Sequence, residues 1–94
     1  MHLNLRFFAT FREAVGQKTL EHEFEDGATV GDVLSTLESE YEGLEGQILT
    51  EDGDLQPNLN ILKNGREVLH MEGTATVMED DDTLSVFPPV AGGA

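Results

Sequence analysis

Two glycines near the C-terminus, Gly92 and Gly93, are the residues of this chain best suited to chemistry. They follow Pro88 and Pro89, and proline holds the backbone extended because its ring fixes φ and restricts the residue before it. Glycine has no Cβ, so a glycine pair can thread a channel too narrow for any other residue. A stiff spacer with a thin end suits a C-terminus that inserts into the active site of another protein. The alternative, on composition alone, is a frayed tail.

The rest of the chain offers no recognisable active site. None of its three histidines, His2, His22 and His70, stands beside a serine, cysteine or lysine in a catalytic pattern. His22 interrupts a row of apolar residues, which favours an edge-strand histidine with a satisfied hydrogen bond. Asp52-Gly53-Asp54 has the start of a calcium loop, but the remaining ligands do not follow at the required spacing. We therefore expect no metal site, no bound cofactor and no enzymatic activity of the chain's own.

The chain is strongly acidic. Nineteen Asp and Glu residues against five Lys and Arg residues give a formal net charge of −14, which disfavours binding to nucleic acid and to anionic membranes. Hydrophobic residues still make up 38% of the chain and recur periodically, which argues against disorder. Acidity spread along the chain is typical of proteins from salt-loving organisms, and we favour that interpretation over a dedicated cation site. No apolar membrane span, signal-peptide pattern or cysteine occurs, so we expect a cytoplasmic protein.

Apolar residues recur at the spacing of strands and of one helix. Strands alternate apolar and polar side chains, whereas a helix places an apolar side chain every three or four residues. Thr29, with Asp32 three residues later, predicts a capping box, and Asn64-Gly65 predicts a hairpin turn. The predicted order is strand 3–7, connection 12–18, strand 20–24, helix 30–41, strand 59–62, strand 66–69, solvated acidic turn 79–82 and strand 83–87. This order indicates an α+β fold in which one main helix covers one face of a mixed sheet.

The same alternation assigns side chains to the two faces of the sheet. The residues predicted to meet in the core are Leu5, Phe7, Val33, Leu37, Ile61 and Val86. Phe8, Leu62 and Phe87 then fall on the face that the helix leaves uncovered. Apolar groups gathered on an uncovered face mark a docking site more often than scattered ones do, although a covering loop or separate exposure is the alternative. Because Phe87 adjoins the tail, a partner bound here would have Gly93 guided into its active site.

The segment 87–93, Phe-Pro-Pro-Val-Ala-Gly-Gly, resembles the C-terminal signature of the ubiquitin-like sulfur carriers. Residues 26–34 and 60–65 extend the resemblance, which covers nearly the whole chain. It is nearest to the small subunit of molybdopterin synthase and to the small archaeal ubiquitin-like modifiers. The resemblance implies the β-grasp fold of ubiquitin, with four to five strands, one main helix and parallel first and last strands at the centre. It implies a β-grasp domain over 1–87 and an extended, flexible tail over 88–94.

The resemblance also implies a reaction at the tail. In such families an ATP-dependent, E1-like adenylating enzyme activates the terminal glycine, which then becomes a thiocarboxylate or is joined to a lysine of a target protein. By this resemblance Gly93 reacts and Gly92 gives its backbone room. The implied partners are the activating enzyme, the large subunit of molybdopterin synthase and target-protein lysines, and sulfur must come from outside. The residues expected to bind partners are Phe8, Leu62, Phe87, Pro88, Pro89 and Val90.

Ala94 departs from the family pattern, in which the tail ends at the second glycine. Either a C-terminal protease cleaves between Gly93 and Ala94, or Ala94 is not a native residue, or the chain is not activated. A different class of function is a non-covalent binding module, in which the uncovered sheet face docks partners and the tail is inert.

Overall fold

The computed structural model describes residues 1–89. Val90, Gly92, Gly93 and Ala94 lie outside the described residues, so the expectations for them stay predictions. The helices and strands of residues 1–89 are β1 (His2–Phe7), α1 (Ala9–Val15), β2 (Thr19–Glu23), α2 (Val30–Glu40), β3 (Asn60–Lys63), β4 (Arg66–Glu67) and β5 (Thr83–Phe87), with short 3-10 helices at Glu42–Leu44, Val68–His70 and Gly73–Ala75.

The five strands form one mixed sheet in the order β2-β1-β5-β3-β4. The two central strands, β1 and β5, run parallel, and the other neighbouring pairs are antiparallel. Helix α2 supplies apolar residues to the core on one face of this sheet. The predicted α+β fold, its main helix and its central parallel pair are therefore confirmed.

Side-chain alternation in the strands builds the core. Leu3, Leu5 and Phe7 of β1 are fully buried, and so are Val33 and Leu37 of α2. Burying a side chain of this size stabilises a fold by about 1.5–3 kcal/mol, so the inward row of each strand fixes which face the helix covers. All six residues predicted to form the core are buried.

Two local signals act as the sequence predicts. Thr29 Oγ1 accepts a hydrogen bond from the Asp32 N–H, and the Asp32 carboxylate accepts one from the Thr29 N–H, which completes the capping box. Asn64 and Gly65 have φ values of 50° and 85°. Positive φ at both central residues is the requirement of the two-residue turn whose twist matches the strands. The hairpin between β3 and β4 is confirmed.

A second helix, α1, is a feature that the sequence analysis missed. Part of the segment 12–18, predicted to be a connection, is helical, since α1 runs over Ala9–Val15. Only Phe11 and Val15 of this helix are buried, with Ala14 partly buried against the core, and so few apolar residues make too short a pattern to distinguish a helix from a loop. Gly16 ends α1 in the left-handed conformation, with φ 84°.

The predicted fourth strand over 66–69 is wrong in its second half. β4 contains only Arg66 and Glu67, and Val68 begins a 3-10 helix. Val68 is fully buried in this position. The 3-10 turn therefore places Val68 in the core.

Asp82 corrects the prediction of a solvated acidic turn over 79–82. Asp82 is buried, with an exposed fraction of only 8%. The Asn64 amide donates to Asp82 Oδ1 at 2.8 Å, and the Glu79 N–H donates to Oδ2 at 2.7 Å. Lys63 Nζ lies 3.5 Å from Oδ2. Burial acts to raise the pKa of Asp82, but the hydrogen bonds from Asn64 and Glu79 and the charge of Lys63 together hold this pKa below its usual value.

Asp82→Asn is therefore expected to lower the free energy of unfolding by about 1–3 kcal/mol at pH 7, because one buried donor loses its acceptor. A carboxyl whose pKa is lowered by folding stabilises the protein above its unfolded pKa of about 4, and that contribution is lost as the pH falls through the folded pKa. The difference in free energy of unfolding between the variant and the wild type should therefore shrink as the pH falls below about 4. Asp81→Asn, an exposed change in the same turn, is the control. A difference that is the same at pH 7 and at acidic pH would contradict this role of the Asp82 charge.

Candidate functional site

The root of the tail is the end of β5. This strand lies between β1 and β3: Val86 pairs with both neighbours, and Phe87 pairs with Asn60 of β3. Val86 is fully buried, Phe87 and Pro88 are half-buried, and Pro89 is exposed. The backbone therefore passes from the centre of the sheet to the surface within three residues.

An aromatic pair lies on the uncovered face at this point. The rings of Phe8 and Phe87 stack with their centroids 3.9 Å apart and an angle of 10° between their planes. The guanidinium carbon of Arg6 lies 5.4 Å from the centroid of the Phe8 ring, within the range of a cation–π interaction. The stack links the end of β1 to the end of β5, at the root of the tail.

Leu62 belongs to the same face. It pairs with Ser85 on β5, and Ser85 pairs in turn with Arg6 on β1. Phe87 pairs with Asn60, so Leu62 and Phe87 are diagonal neighbours, which long or aromatic side chains can bridge. We call Phe8, Leu62 and Phe87 the apolar patch. The structure brings Phe8 and Phe87 into contact and places Leu62, also half-buried, beside them.

Arg6 is a residue of this face to which the sequence analysis assigned no function. It is exposed, and it is two positions before Phe8, so the alternation of β1 puts the cation and the ring on one face. That spacing was visible in the sequence. The stacking of Phe8 on Phe87, by contrast, could not be read from the sequence. It places the two rings in contact, with Arg6 over the Phe8 ring.

The histidines have structural partners. His22 stacks on Phe24, and its two ring nitrogens lie 2.7 Å from the Glu23 carbonyl oxygen and 3.2 Å from the Glu40 carboxylate. The interpretation of His22 as a satisfied edge-strand histidine is confirmed. His2 lies against carboxylates, and its pKa is raised, chiefly by its hydrogen bond with Glu23.

Residues 1–89 lack two features, a metal-binding cluster and a membrane-spanning helix. No group of three His, Asp or Glu side chains in this range could hold a metal ion. No helix in the same range is long and apolar enough to cross a bilayer.

Comparison with known proteins places this geometry in a family. Residues 5–93 match the ThiS family. The chain is 61% identical to small archaeal modifier protein 3 of Haloferax volcanii over 93 residues, covering 99% of this chain and 100% of that protein. It is 35% identical to the sulfur carrier protein CysO of Mycobacterium tuberculosis over 80 residues, 83% of each chain. The crystal structure of small archaeal modifier protein 1 of Haloferax volcanii is similar, with a TM-score of 0.81, 31% identity and coverage of 95% of this chain and 98% of that one.

A β-grasp sheet whose central strand leads into a Gly-Gly tail defines the class of ubiquitin-like proteins. Within that class, the chain belongs to the ThiS family, the family of small sulfur carriers and archaeal modifiers.

Proposed function

We propose that this chain is a ubiquitin-like modifier and sulfur carrier that acts through its own C-terminus after activation. The carboxylate of Gly93 attacks the α-phosphate of ATP in the active site of an activating enzyme, and pyrophosphate leaves. The resulting acyl-adenylate is reactive because AMP is a good leaving group. Sulfide supplied by an external donor then attacks the acyl carbon and AMP leaves, which gives a thiocarboxylate; alternatively a lysine amine attacks, AMP leaves and an isopeptide bond forms.

One observation carries this proposal: the central strand β5 delivers the segment Phe87-Pro88-Pro89 to the surface beside the apolar patch. A partner that grips the patch holds a fixed point from which the remaining residues lead to Gly93. Gly93 is six positions after Phe87, so the tail can reach at most about 20–22 Å. This reach suits a reactive end that enters a partner's active site while the domain stays outside.

The parts of the chain have separate roles in this proposal. Residues 1–87 form the docking domain, and residues 88–94 form the tail. Pro88 and Pro89 restrict the backbone at its exit from the sheet, Val90 continues the partner contact, and Gly92 gives clearance in a narrow channel. A C-terminal protease removes Ala94 before activation.

The proposed partners follow from the same chemistry. They are an adenylating enzyme that recognises the apolar patch, the large subunit of a molybdopterin synthase that uses the thiocarboxylate, and target proteins that offer lysines. Carriage of sulfur and conjugation to proteins need the same activated glycine, so one chain can serve both. The relatives are named as modifier and carrier proteins, which agrees with a chain that is a substrate of enzymes more than a catalyst.

The intact mass of the protein isolated from its native cells tests the proposal. We expect loss of Ala94, exchange of one terminal oxygen for sulfur, and larger species that contain a target protein. The control is the same isolation from cells in which the activating enzyme is deleted, where the thiocarboxylate and the conjugates should disappear. If unmodified chain is the sole species in both strains, the tail is inert and the non-covalent binding module is the better account.

A further inference from the structure

Three of the five basic residues lie at the end of the sheet where the tail leaves. Arg6 is the next-to-last residue of β1 and pairs with Ser85 of β5. Arg12 is in α1, directly after β1, and its N–H donates to the Phe8 carbonyl oxygen at 3.3 Å. The carbonyl oxygen of Lys18 accepts a hydrogen bond of 2.9 Å from the N–H of Phe7. We call Arg6, Arg12 and Lys18 the basic rim.

The basic rim has no ion pair with any carboxylate of residues 1–89. By contrast, Lys63 lies within 4 Å of both Glu79 and Asp82. Nineteen acidic residues are present in the chain, and none in the described part approaches the rim within ion-pair distance. Unpaired cations grouped on so acidic a molecule are available to an acidic partner.

The charge of the uncovered face changes sign along β1. At the start of the strand, His2 contacts the carboxylates of Glu21 and Glu23. Toward its end, Arg6 lies over the Phe8 ring. A partner surface that carries carboxylates therefore fits the end with the tail and is repelled by the other end, which fixes the direction in which the domain docks.

Arg6 is also placed to make strong contacts. The Phe8 ring holds the guanidinium at the edge of the apolar patch, and no atom of residues 1–89 accepts a hydrogen bond from it. A guanidinium presents five N–H donors in a planar fork that matches a carboxylate. Arginine and aromatic residues at the centre of an interface typically carry most of its binding energy.

The length of the tail keeps the basic rim at a distance from the reacting carboxylate of Gly93. If the tail is extended in a partner's channel, the carboxylate of Gly93 lies up to about 20–22 Å from Phe87. Arg6 and Phe8 stay at the root of the tail, next to Phe87. The rim therefore meets the outer surface of the partner at the mouth of the channel, away from the phosphates of ATP.

We infer that the basic rim, with Arg6 as its central residue, binds carboxylates that surround the apolar pocket of the activating enzyme. This inference rests on the proposed function and adds the chemistry of the recognised surface: an acidic rim around a site for Phe8 and Phe87. A nucleic acid would also supply anions, but the net charge of −14 opposes its approach.

The test is the affinity of a chain ending at Gly93 for the activating enzyme from the same cells, without ATP. Arg6→Glu should raise the dissociation constant at least about tenfold, while Arg6→Lys, which keeps the charge, should raise it about threefold or less. Arg66→Glu is the matched control: Arg66 is exposed on β4, at the far edge of the sheet, and the change in net charge is identical. It should change the constant by less than about twofold. The Arg6→Glu effect should shrink as potassium chloride is raised, because salt screens exposed charges.

Equal dissociation constants for Arg6→Glu and Arg66→Glu would overturn the inference while leaving the proposed function standing. If the wild-type chain is bound but never adenylated, the proposed function fails instead. Circular dichroism checks that each variant folds. The double variant Arg12→Glu, Lys18→Glu removes the other two charges of the basic rim and repeats the affinity test without altering β1. Binding of a single-stranded RNA oligonucleotide that is lost in Arg6→Glu, with unchanged enzyme affinity, would assign the rim to nucleic acid and reject the acidic protein partner.

Discussion

A chain that ends at Gly93 is expected to be adenylated at least about 100-fold faster than a chain that ends at Ala94. One further residue moves the reacting carboxylate by up to about 3.3–3.6 Å along an extended backbone. In-line attack on the α-phosphate requires the attacking oxygen within about 3–3.5 Å, and a misplacement of about 1 Å can cost about 100-fold in rate. The methyl group of Ala94 would also enter a channel that fits glycine.

ATP–pyrophosphate exchange by the activating enzyme measures this difference. A third chain, with Ala94→Gly, separates the two causes because it has the length of the Ala94 chain without the methyl group. If length decides, the Ala94→Gly chain should be as slow as the Ala94 chain, and if bulk decides, it should recover. Exchange at similar rates for the chains ending at Gly93 and Ala94 would show that the enzyme accepts Ala94 and that no processing is needed.

Leu62→Asp is expected to weaken binding to the activating enzyme by about 30-fold or more, which corresponds to about 2 kcal/mol, the threshold for a central interface residue. Leu62 is half-buried on the uncovered face, beside the stacked rings, so the domain should stay folded. Burying a carboxylate against an apolar pocket costs free energy that a leucine does not. Titration of the enzyme with a labelled chain gives the dissociation constant.

Leu69→Asp is the control for this experiment. Leu69 is 64% exposed and lies in the 3-10 helix after β4, away from the apolar patch, so its change should leave the affinity within about twofold. The assignment of faces would be wrong if Leu62→Asp unfolded the domain, since Leu62 would then belong to the core. Equal losses for the two leucines would remove the patch from the docking surface.

Short-range patterns allowed much of the fold to be predicted. The alternation in β1 and β5 predicted that Leu5, Phe7 and Val86 are buried. Successive side chains on a strand point to opposite faces of the sheet whatever surrounds them. The capping box of α2 was predictable because its two residues are three apart and the side chain of each bonds the backbone N–H of the other.

Elements that depend on distant contacts were missed. Only Phe11 and Val15 of helix α1 are buried, and a helix so short is marginal without tertiary packing. Part of that packing is the close approach of Ala14 to Gly43, where an added Cβ would lie 2.7 Å from the Ala14 Cβ. No pattern within residues 9–15 predicts this contact with Gly43, which is almost thirty positions away in the sequence.

The sequence by itself determined the order of the strands and of the main helix, the inward rows of β1, β3 and β5, and the Gly-Gly tail, because these depend on periodicity and on residue chemistry. The tertiary structure alone decided that Phe8 stacks on Phe87 at the root of the tail. It also decided that Asp82, one of four consecutive acidic residues, is buried against Asn64. Such contacts join residues some eighteen to eighty positions apart, and they form only when the parallel pairing of β1 with β5 and the hairpin of β3 bring those positions together.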